Sequence, residues 1–398
     1  MGQWISSAVI FLLTCSVLSA GDRVPSTQIA PAYRIELRSV IRADVVPQLG
    51  THETQWVPVI TLDFLSNQRL AVTLVARANT TPKLGTLGEP DAASPFRLHG
   101  AVIDVSTGKI LATPEWPSRS RAAGIVAAND TGFVIETGSE LTLLSPDLVP
   151  TKRMGLPPCT AGADHVREDD WYPSASWSGE HALLVSGPAW SKGCWLWVDT
   201  KNLRVLDSWQ DERTGSIAVS DDRLVMKPFG RHFGDAPSGL EVAVPGGDWK
   251  PVPSTLNASA AQFVGPNLLY VQRYRGIGRE ERGGVFLRRT DSGEISRLEP
   301  AHNGWGLARA VVSRAGNRFV IPQVQVKGSY PALDIGGHSV LKGLLVYDAP
   351  FRMPSYTFAV RGSKVRNASA ALSPDGRHLA VLARPELLLE VFDLPAVN

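Results

Sequence analysis

The segment ALSPDGRHLAVL, residues 371–382, contains two short apolar runs separated by a polar turn. Pro374, Asp375 and Gly376, which lie between the runs, are typical turn residues. Proline presets the backbone angle at the start of a turn, aspartate can hydrogen-bond the local backbone, and glycine tolerates a positive φ. The flanking runs alternate as β-strands do. The segment therefore predicts a β-hairpin close to the C-terminus.

The same pattern of strand, polar turn and strand recurs along the chain with little identity of letters. Seven copies begin at Leu62, Ile125, Ser174, Ile217, Ala261, Ala310 and Ala371. Their turns lie roughly 40 to 60 residues apart, which is the spacing of four-stranded propeller blades. Period-2 alternation dominates, and no long 3.6-residue periodicity is present. The sequence therefore predicts an all-β protein.

Each hairpin is followed by a second pair of strands, for example AVIDVSTGKILA from Ala101 and CWLWVDTKNLRVL from Cys194. The repeating unit is thus four antiparallel strands, labelled A to D in chain order. The final unit, 367–394, has three strands, and the strand-like segment YRIELRSVIR at 33–42 has no partner nearby. We therefore predict a β-propeller of seven four-stranded blades, closed when the N-terminal strand at 33–42 joins the last blade.

The motif LSPDGRHLAVL resembles the repeat of TolB-type and WD40-like (YVTN-like) bacterial propellers. Their copies commonly read Ser-Pro-Asp-Gly, then a basic residue and an apolar strand. One copy here matches these letters, and six keep the pattern alone. The resemblance implies a secreted bacterial propeller over most of residues 33–396. It also implies that residues 373–376 are structural, and it does not identify an activity.

The first twenty residues, MGQWISSAVIFLLTCSVLSA, have an apolar centre followed by small residues, which is the pattern of a cleavable secretory signal. We expect a signal peptide at 1–20, a flexible leader at 21–32 and a single propeller domain at 33–398, in a secreted or periplasmic protein. A membrane-tethered or disordered tail is the alternative for the first segment. The letters LLTC before and at Cys15 resemble a bacterial lipobox, so a lipid anchor at Cys15 is a further alternative.

Composition argues against nucleic acid as a partner and against a transmembrane span. The 398 residues include 40 Lys and Arg against 38 Asp and Glu, for a net charge of +2, far from a concentrated positive field. The chain contains no apolar run of the ~18 residues that a membrane span needs. Beyond the signal, the cysteines are Cys159 and Cys194. An oxidising compartment favours a disulfide between them, and two buried thiols are the alternative.

The B–C and D–A connections of a four-stranded meander leave from one side of the disc, and the A–B and C–D turns from the other. We name these sides the loop-rich face and the turn face. Long B–C loops are predicted at 78–96, 186–193, 227–239, 272–284 and 322–343, and a long D–A loop at 157–171. Long loops are often functional, so we predict the ligand site on the loop-rich face, where both cysteines also fall.

Residues at the starts of the innermost strands should surround the mouth of the central channel on that face. The predicted set is His52, Arg121, Tyr172, Arg213, Asn257, Trp305 and Arg366. Their basic and aromatic side chains suit stacking on a flat ring and charge-assisted hydrogen bonds to an anionic group. The predicted partner is therefore a protein, peptide or glycan ligand. The alternative is that propeller mouths are polar whatever their function.

The sequence contains no recognisable catalytic, cofactor or metal motif: Gly-x-Ser-x-Gly, His-Glu-x-x-His, Cys-x-x-Cys-His and a Walker loop are all lacking. The acidic segment ADHVREDDWYP at 163–173 lacks calcium-loop spacing and reads as a solvated loop. We predict a non-catalytic binding module without a cofactor. The alternative is a propeller-borne hydrolase or lyase for a glycan or anionic substrate at the channel mouth, with Glu53, Asp169 and Asp170 as the nearest acids.

Overall fold

A computed structural model of the chain gives the architecture. It describes residues 26–40, 60–77, 96–120, 123–138, 140–159, 171–186, 193–211, 215–228, 239–275, 281–300, 305–307, 310–327, 338–352, 354–363, 368–383 and 387–397. The described residues form thirty-one β-strands and one short 3₁₀ helix. The strands assemble into seven separate sheets, each of which is one blade.

The strands follow one another blade by blade. The N-terminal segment supplies β1 (Ser26–Ile29), β2 (Tyr33–Glu36) and the 3₁₀ helix (Leu37–Ser39). Blade 1 contains β3 (Ile60–Ser66), β4 (Arg69–Arg77), β5 (Phe96–Asp104), β6 (Ile110–Ala112) and β7 (Glu115–Ser118). Blade 2 contains β8 (Gly124–Asn129), β9 (Gly132–Glu136), β10 (Glu140–Leu144) and β11 (Pro150–Gly155). Blade 3 contains β12 (Trp171–Ala175), β13 (His181–Ser186), β14 (Gly193–Asp199) and β15 (Arg204–Asp211).

The remaining blades repeat this order. Blade 4 contains β16 (Gly215–Val219), β17 (Leu224–Pro228), β18 (Glu241–Ala243) and β19 (Lys250–Pro251). Blade 5 contains β20 (Ala258–Val264), β21 (Asn267–Arg275), β22 (Glu281–Arg288) and β23 (Ile295–Pro300). Blade 6 contains β24 (Trp305–Leu307), β25 (Val311–Val312), β26 (Arg318–Lys327), β27 (His338–Asp348) and β28 (Tyr356–Val360). Blade 7 contains β29 (Ala368–Leu372), β30 (His378–Ala383) and β31 (Leu388–Asp393).

The blades form a ring with their first strands at the centre. The first strands of neighbouring blades contact each other at six interfaces, those between blades 6 and 7, 7 and 1, 1 and 2, 2 and 3, 3 and 4, and 4 and 5. One apolar cluster joins blades 5 and 6 and completes the circle. Blades 1 to 6 each contain four antiparallel strand positions, although the D position of blade 1 and the A position of blade 6 are each split into two short strands. The predicted seven-bladed β-propeller is confirmed.

An apolar cluster fills each interface between neighbouring blades. In β30, Leu379 and Val381 pack towards blade 6, whereas Ala380 and Leu382 pack towards blade 1. A strand that is buried on both faces reads as a continuous apolar run. This explains why the strands of the repeat, such as HLAVLA, carry so few polar residues.

The N-terminal strand closes the ring, as predicted. β2 pairs antiparallel with β31, with Tyr33 opposite Val391 and Glu36 opposite Leu388, and becomes the outermost strand of blade 7. The strand ends at Glu36 rather than near residue 42, because the chain turns into the 3₁₀ helix. The fully buried Leu37 packs there in the cluster between blades 7 and 1. Residues 41–42 lie outside the described residues.

Residues 26–29 differ from the predicted flexible leader at 21–32, because they form β1. This strand pairs in parallel with β28, the outermost strand of blade 6, with Ser26 opposite Thr357. Ile29 packs against the cluster between blades 6 and 7, and its carbonyl accepts a hydrogen bond from Arg361 N at 2.9 Å. β1 thus covers the outer edge of β28 as a fifth strand position of blade 6. The N-terminal segment therefore connects blades 6, 7 and 1.

The turn at 373–377 has the structural role that the resemblance implies. Gly376 N donates to the Ser373 carbonyl at 2.8 Å, and Gly376 has a φ of +74°. The Asp375 carboxylate accepts hydrogen bonds from Ser373 Oγ at 2.6 Å and from Arg377 N at 3.0 Å. These contacts lie within the hairpin between β29 and β30, so this segment serves the fold.

Connection lengths differ between the two faces. The A–B turns contain 2 to 5 residues and the C–D turns 4 to 7, whereas the longest B–C connection, 78–95, has 18 and the two longest D–A connections, 37–59 and 156–170, have 23 and 15. Two predicted loops are shorter than expected. β21 and β22 reduce the loop at 272–284 to 276–280, and β26 and β27 reduce the loop at 322–343 to 328–337. The long connections nevertheless leave from the loop-rich face.

Candidate functional site

The predicted mouth residues are only partly within the described residues. Tyr172 and Asn257 are described with their side chains, and Trp305 is described as the first backbone position of β24. Outside the described residues lie His52, Arg121, Arg213 and Arg366. Also outside them lie the acids nearest the predicted mouth, Glu53, Asp169 and Asp170. The grouping of the seven residues around one mouth therefore stays a prediction.

Tyr172 presents an aromatic side chain at the start of the innermost strand of blade 3. It pairs with Val185 in β13, and its side chain is 51% exposed. The preceding residue, Trp171, is 1% exposed and packs in the cluster between blades 2 and 3. The alternation of β12 therefore anchors the strand through one aromatic ring and turns the next towards solvent on the loop-rich face.

Asn257 lies in a D–A connection whose backbone is held by a buried glutamine. Gln272 Nε2 donates to the carbonyls of Ser254 at 2.9 Å and Leu256 at 3.1 Å. Asn257 itself has a φ of +64°, in the left-handed region that asparagine tolerates better than most residues. The neighbouring Leu256 is 56% exposed. This short connection thus presents an amide and an aliphatic side chain in a fixed conformation.

A disulfide joins Cys159 and Cys194, with Cα atoms 5.7 Å apart. Of the two alternatives for the cysteines, the disulfide is thus the one that forms. Cys159 follows β11 in the D–A connection, and Cys194 is the second residue of β14, so the bond ties this connection to blade 3 on the loop-rich face. Cys159 is 8% exposed and packs in the cluster between blades 2 and 3.

The innermost strands contain one charged residue among the described positions. Asp63 lies in the middle of β3, whereas glycine, alanine, serine and valine predominate in β8, β16, β20, β25 and β29. Phe64 and Leu62 point into the cluster between blades 7 and 1. Because successive side chains alternate, Asp63 lies on the opposite side of β3, the side of Thr61. This side faces blade 2, since Thr61 Oγ1 accepts a hydrogen bond from Ile125 N at 2.9 Å.

The Asp63 carboxyl lies in a desolvated position. Its Oδ1 accepts a hydrogen bond from Phe64 N at 2.7 Å. Burial raises the pKa of Asp63 from 3.8 to about 6, although the Arg314 guanidinium and the Phe64 N–H act in the opposite direction. Desolvation disfavours the charged form of a carboxyl group. Asp63 therefore changes charge close to neutral pH.

Arg314 crosses the turn-face end of the central channel. It belongs to the A–B turn of blade 6, yet its Nη2 donates to the Phe64 carbonyl of blade 1 at 2.5 Å. Its Nη1 lies 3.9 Å from Asp130 Oδ1 in the A–B turn of blade 2. The arginine side chain is 14% exposed, while that of Asp130 is fully exposed. The guanidinium thus links the A–B turn of blade 6 to β3 of blade 1 and lies near the A–B turn of blade 2.

Asp63 and Arg314 were missed at the level of sequence. Asp63 lies within the repeat copy LDFLSNQRLAVTL from Leu62, and its signal was available: it is a charge at the second position of its copy, where every other copy carries an uncharged residue. Arg314 gave no comparable signal, because arginine is unremarkable in a polar turn. Its contact with blade 1 depends on the closure of the ring.

Neither a metal-binding cluster nor a membrane-spanning helix occurs among the described residues. Within that part of the chain, His, Cys, Asp and Glu side chains do not come together in groups of three or more that could hold a metal ion. No helix in the same residues has the length and apolar character needed to cross a membrane.

Comparison with known proteins supports the fold. No protein-family model matches the sequence. No curated protein matches it either. The β-propeller domain of the Trilobed protease from Pyrococcus furiosus, which has an open velcro topology, is similar in structure with a TM-score of 0.52 and 10% identity, over 86% of this chain and 97% of that one. In contrast to an open topology, β2 here completes the last blade.

Two further solved structures give similar overlaps at lower scores. The Neurospora crassa Pan2 WD40 domain matches with a TM-score of 0.49 and 10% identity, over 94% of this chain and 97% of that one. An oligogalacturonate lyase in complex with manganese matches with a TM-score of 0.49 and 10% identity, over 84% of this chain and 96% of that one. At such identities the similarity concerns the fold and does not define an activity.

Proposed function

We propose that this propeller is an exported, non-catalytic binding module that recognises a protein, peptide or glycan ligand through its loop-rich face. The observation that carries the proposal is the unequal length of the connections on the two faces, up to 23 residues on one and at most 7 on the other. Long connections on a rigid scaffold are the usual location of binding residues. Tyr172 and Leu256 add exposed aromatic and aliphatic groups on the same face, and Asn257 adds a partly exposed amide.

Export rests on the signal-like segment at 1–20 and is compatible with the Cys159–Cys194 disulfide, because disulfides persist in oxidising compartments. Mass spectrometry of the protein from its native host tests this part. A mature chain that begins near residue 21 supports cleavage by a signal peptidase. A lipid-modified mature N-terminus at Cys15 would establish the anchored alternative, and an intact cytoplasmic chain would refute export.

A capture experiment tests the binding face. The immobilised wild-type protein is exposed to an extract of the native envelope and compared with the double variant Tyr172→Ala/Leu256→Ala. The matched control is Leu111→Ala/Val205→Ala, which removes side chains of similar exposure from the outer strands of blades 1 and 3. We expect the control to retain the same partner and the face variant to lose it. The reverse result would place recognition on the perimeter.

The alternative function, a hydrolase or lyase predicted at the channel mouth, is favoured by one observation further along the channel, in the middle of β3. Asp63 supplies a carboxyl group whose pKa is raised to about 6, as a general acid at neutral pH requires. Turnover of a glycan or anionic substrate by the wild-type protein, lost in Asp63→Asn, would establish catalysis and overturn the binding module.

A further inference from the structure

The contacts of Asp63 and Arg314 indicate which class of ligand the proposed binding module recognises. This inference rests on the proposed function. Asp63 lies on an innermost strand, on the side of β3 that faces away from the cluster between blades 7 and 1, and the residue as a whole is partly exposed. Phe64 N occupies one carboxylate oxygen. Among the described residues, the other oxygen accepts no hydrogen bond. The channel therefore offers an open hydrogen-bond acceptor in a desolvated place.

Arg314 supplies hydrogen-bond donors close to that acceptor. A guanidinium has five N–H donors, and the Phe64 carbonyl takes one of them, on Nη2. The positive charge of Arg314 acts to lower the pKa of Asp63, against the larger effect of burial. Because Arg314 lies across the turn-face end of the channel, a ligand would approach the pair from the loop-rich face.

The charges of the pair discriminate between ligand classes. A cation that approached Asp63 would be repelled by Arg314, and an anion that approached Arg314 would be repelled by Asp63. An uncharged hydroxyl group satisfies both residues, because it donates a hydrogen bond to the carboxylate and accepts one from the guanidinium. Hydrogen bonds to charged groups are the stronger ones, so vicinal hydroxyls would be held without a net charge on the ligand.

The energetic cost of Asp63 indicates a role in function. Folding carries this carboxylate into a position that disfavours its ionised form, and a serine or alanine, as in the other innermost strands, would avoid that cost. Residues that oppose stability are typical of functional sites. Tyr172 adds an exposed aromatic ring near the mouth, and aromatic rings pack well against the apolar face of a sugar.

We propose that Asp63 and Arg314 form the inner end of a ligand site in the central channel, and that the ligand is an uncharged polyhydroxylated molecule, that is, a neutral saccharide. The site is entered from the loop-rich face. Asp63 accepts and Arg314 donates hydrogen bonds to ligand hydroxyls, and Tyr172 stacks on a ring nearer the mouth.

Saturation-transfer NMR with the full mature chain tests the proposal. The probes are glucose, galactose, N-acetylglucosamine, maltose and cellobiose, with glycine betaine, putrescine and citrate as zwitterionic, cationic and anionic comparators. We expect transfer to at least one neutral saccharide and none to the comparators. Titration should then show affinity at least tenfold weaker for Asp63→Asn and about fivefold weaker for Arg314→Lys, which keeps the charge but loses the planar fork.

Asp130→Asn is the matched control, because it removes a carboxylate near the same arginine from a fully exposed position. Its affinity should stay within twofold of the wild type. Should Asp63→Asn fail to fold, Arg314→Lys decides the outcome. Transfer to no saccharide, preferential transfer to a charged comparator, or unchanged affinity in the folded Asp63 or Arg314 variant overturns the proposal. Loss of partner capture in Tyr172→Ala/Leu256→Ala but not in Asp63→Asn would overturn this inference and leave the proposed function intact.

Discussion

Two arginines four residues apart in blade 6 have opposite environments. Arg318 is fully buried and forms a two-pronged ion pair with Asp348, with Nε to Oδ1 at 2.5 Å and Nη2 to Oδ2 at 2.9 Å. Its remaining donors reach the carbonyls of Gly376 at 2.9 Å, Pro395 at 2.5 Å and Ala396 at 3.2 Å. Arg318 thus binds blade 6 to blade 7 and to the C-terminal segment.

Arg314, in contrast, donates one hydrogen bond, to the Phe64 carbonyl. Its charge acts on the Asp63 carboxyl, but the two side chains do not form an ion pair. A buried charge whose partners are all in place is part of the scaffold, because any ligand would have to break existing bonds. A desolvated pair with unused donors and acceptors is available to a ligand. The difference separates the structural arginine from the candidate binding arginine in the same blade.

The largest expected effect is the loss of the structural arginine. Arg318→Met leaves the Asp348 carboxylate buried without its partner and should lower the free energy of unfolding by about 3 to 5 kcal/mol. Arg314→Met, the same change on the same blade, should cost about 1 kcal/mol, which corresponds to one hydrogen bond. Urea unfolding followed by tryptophan fluorescence measures both. Equal losses would show that the two arginines do not differ in role.

Asp63→Asn should stabilise the protein at neutral pH. The folded-state pKa of Asp63 is about 6 against an ordinary value of 3.8, so ionisation opposes folding above pH 6, and this penalty disappears as the pH falls below 4. The gain at pH 7.5 should be on the order of 3 kcal/mol, because each pKa unit between 3.8 and about 6 corresponds to about 1.4 kcal/mol. Thermal unfolding from pH 4 to 7.5 measures it. A gain that does not shrink towards pH 4 contradicts the assignment.

Arg34 offers an intermediate case at the N-terminal closure. Its Nε lies 2.8 Å from Oε1 of the fully buried Glu390 in β31, and its Nη2 donates to the Gly362 carbonyl of blade 6 at 2.5 Å. Because the arginine itself is partly exposed, Arg34→Met should lower the free energy of unfolding by about 1 to 2 kcal/mol. The exposed pair of Arg69 and Asp147 is the control, and Arg69→Met should change stability by less than about 0.5 kcal/mol. If Arg34→Met lowers the free energy of unfolding no more than Arg69→Met does, Arg34 does not stabilise the closure.

The smallest expected effect is at Asp130. Its side chain is fully exposed at 3.9 Å from Arg314, so solvent screens the interaction. Asp130→Asn should therefore unfold at the wild-type temperature in differential scanning calorimetry. A measurable shift would mean that Arg314 depends on Asp130 for its position, which would weaken its comparison with Arg318.

Much of the fold was predictable because the signals are local. The turn residues at 374–376, the alternation of the seven copies and the three-stranded last unit predicted the propeller and its closure by a strand at 33–42, of which Tyr33–Glu36 forms the strand. β1 was missed because four residues, STQI, carry too little pattern to distinguish a strand from a leader. Its pairing depends on the exposed edge of β28, which exists only once blade 6 has formed.

The candidate site was less predictable than the fold. Tyr172 was identified from its place at the start of a strand, because strand starts can be read from alternation. Asp63 was overlooked because a single aspartate within a strand resembles an ordinary surface position until the strand is known to be innermost. Its relation to Arg314 joins parts of the chain about 250 residues apart, as does the hydrogen bond from Arg314 to Phe64.

The amino-acid order was thus sufficient for the repeat, the number of blades and the division into a loop-rich face and a turn face, because hairpins are specified by residues a few positions apart. The roles of the charged side chains could not be derived in this way. Whether an arginine becomes a buried brace or a channel residue depends on which carboxylate the closed ring places beside it. That choice rests on desolvation and distance, which exist only in the folded molecule.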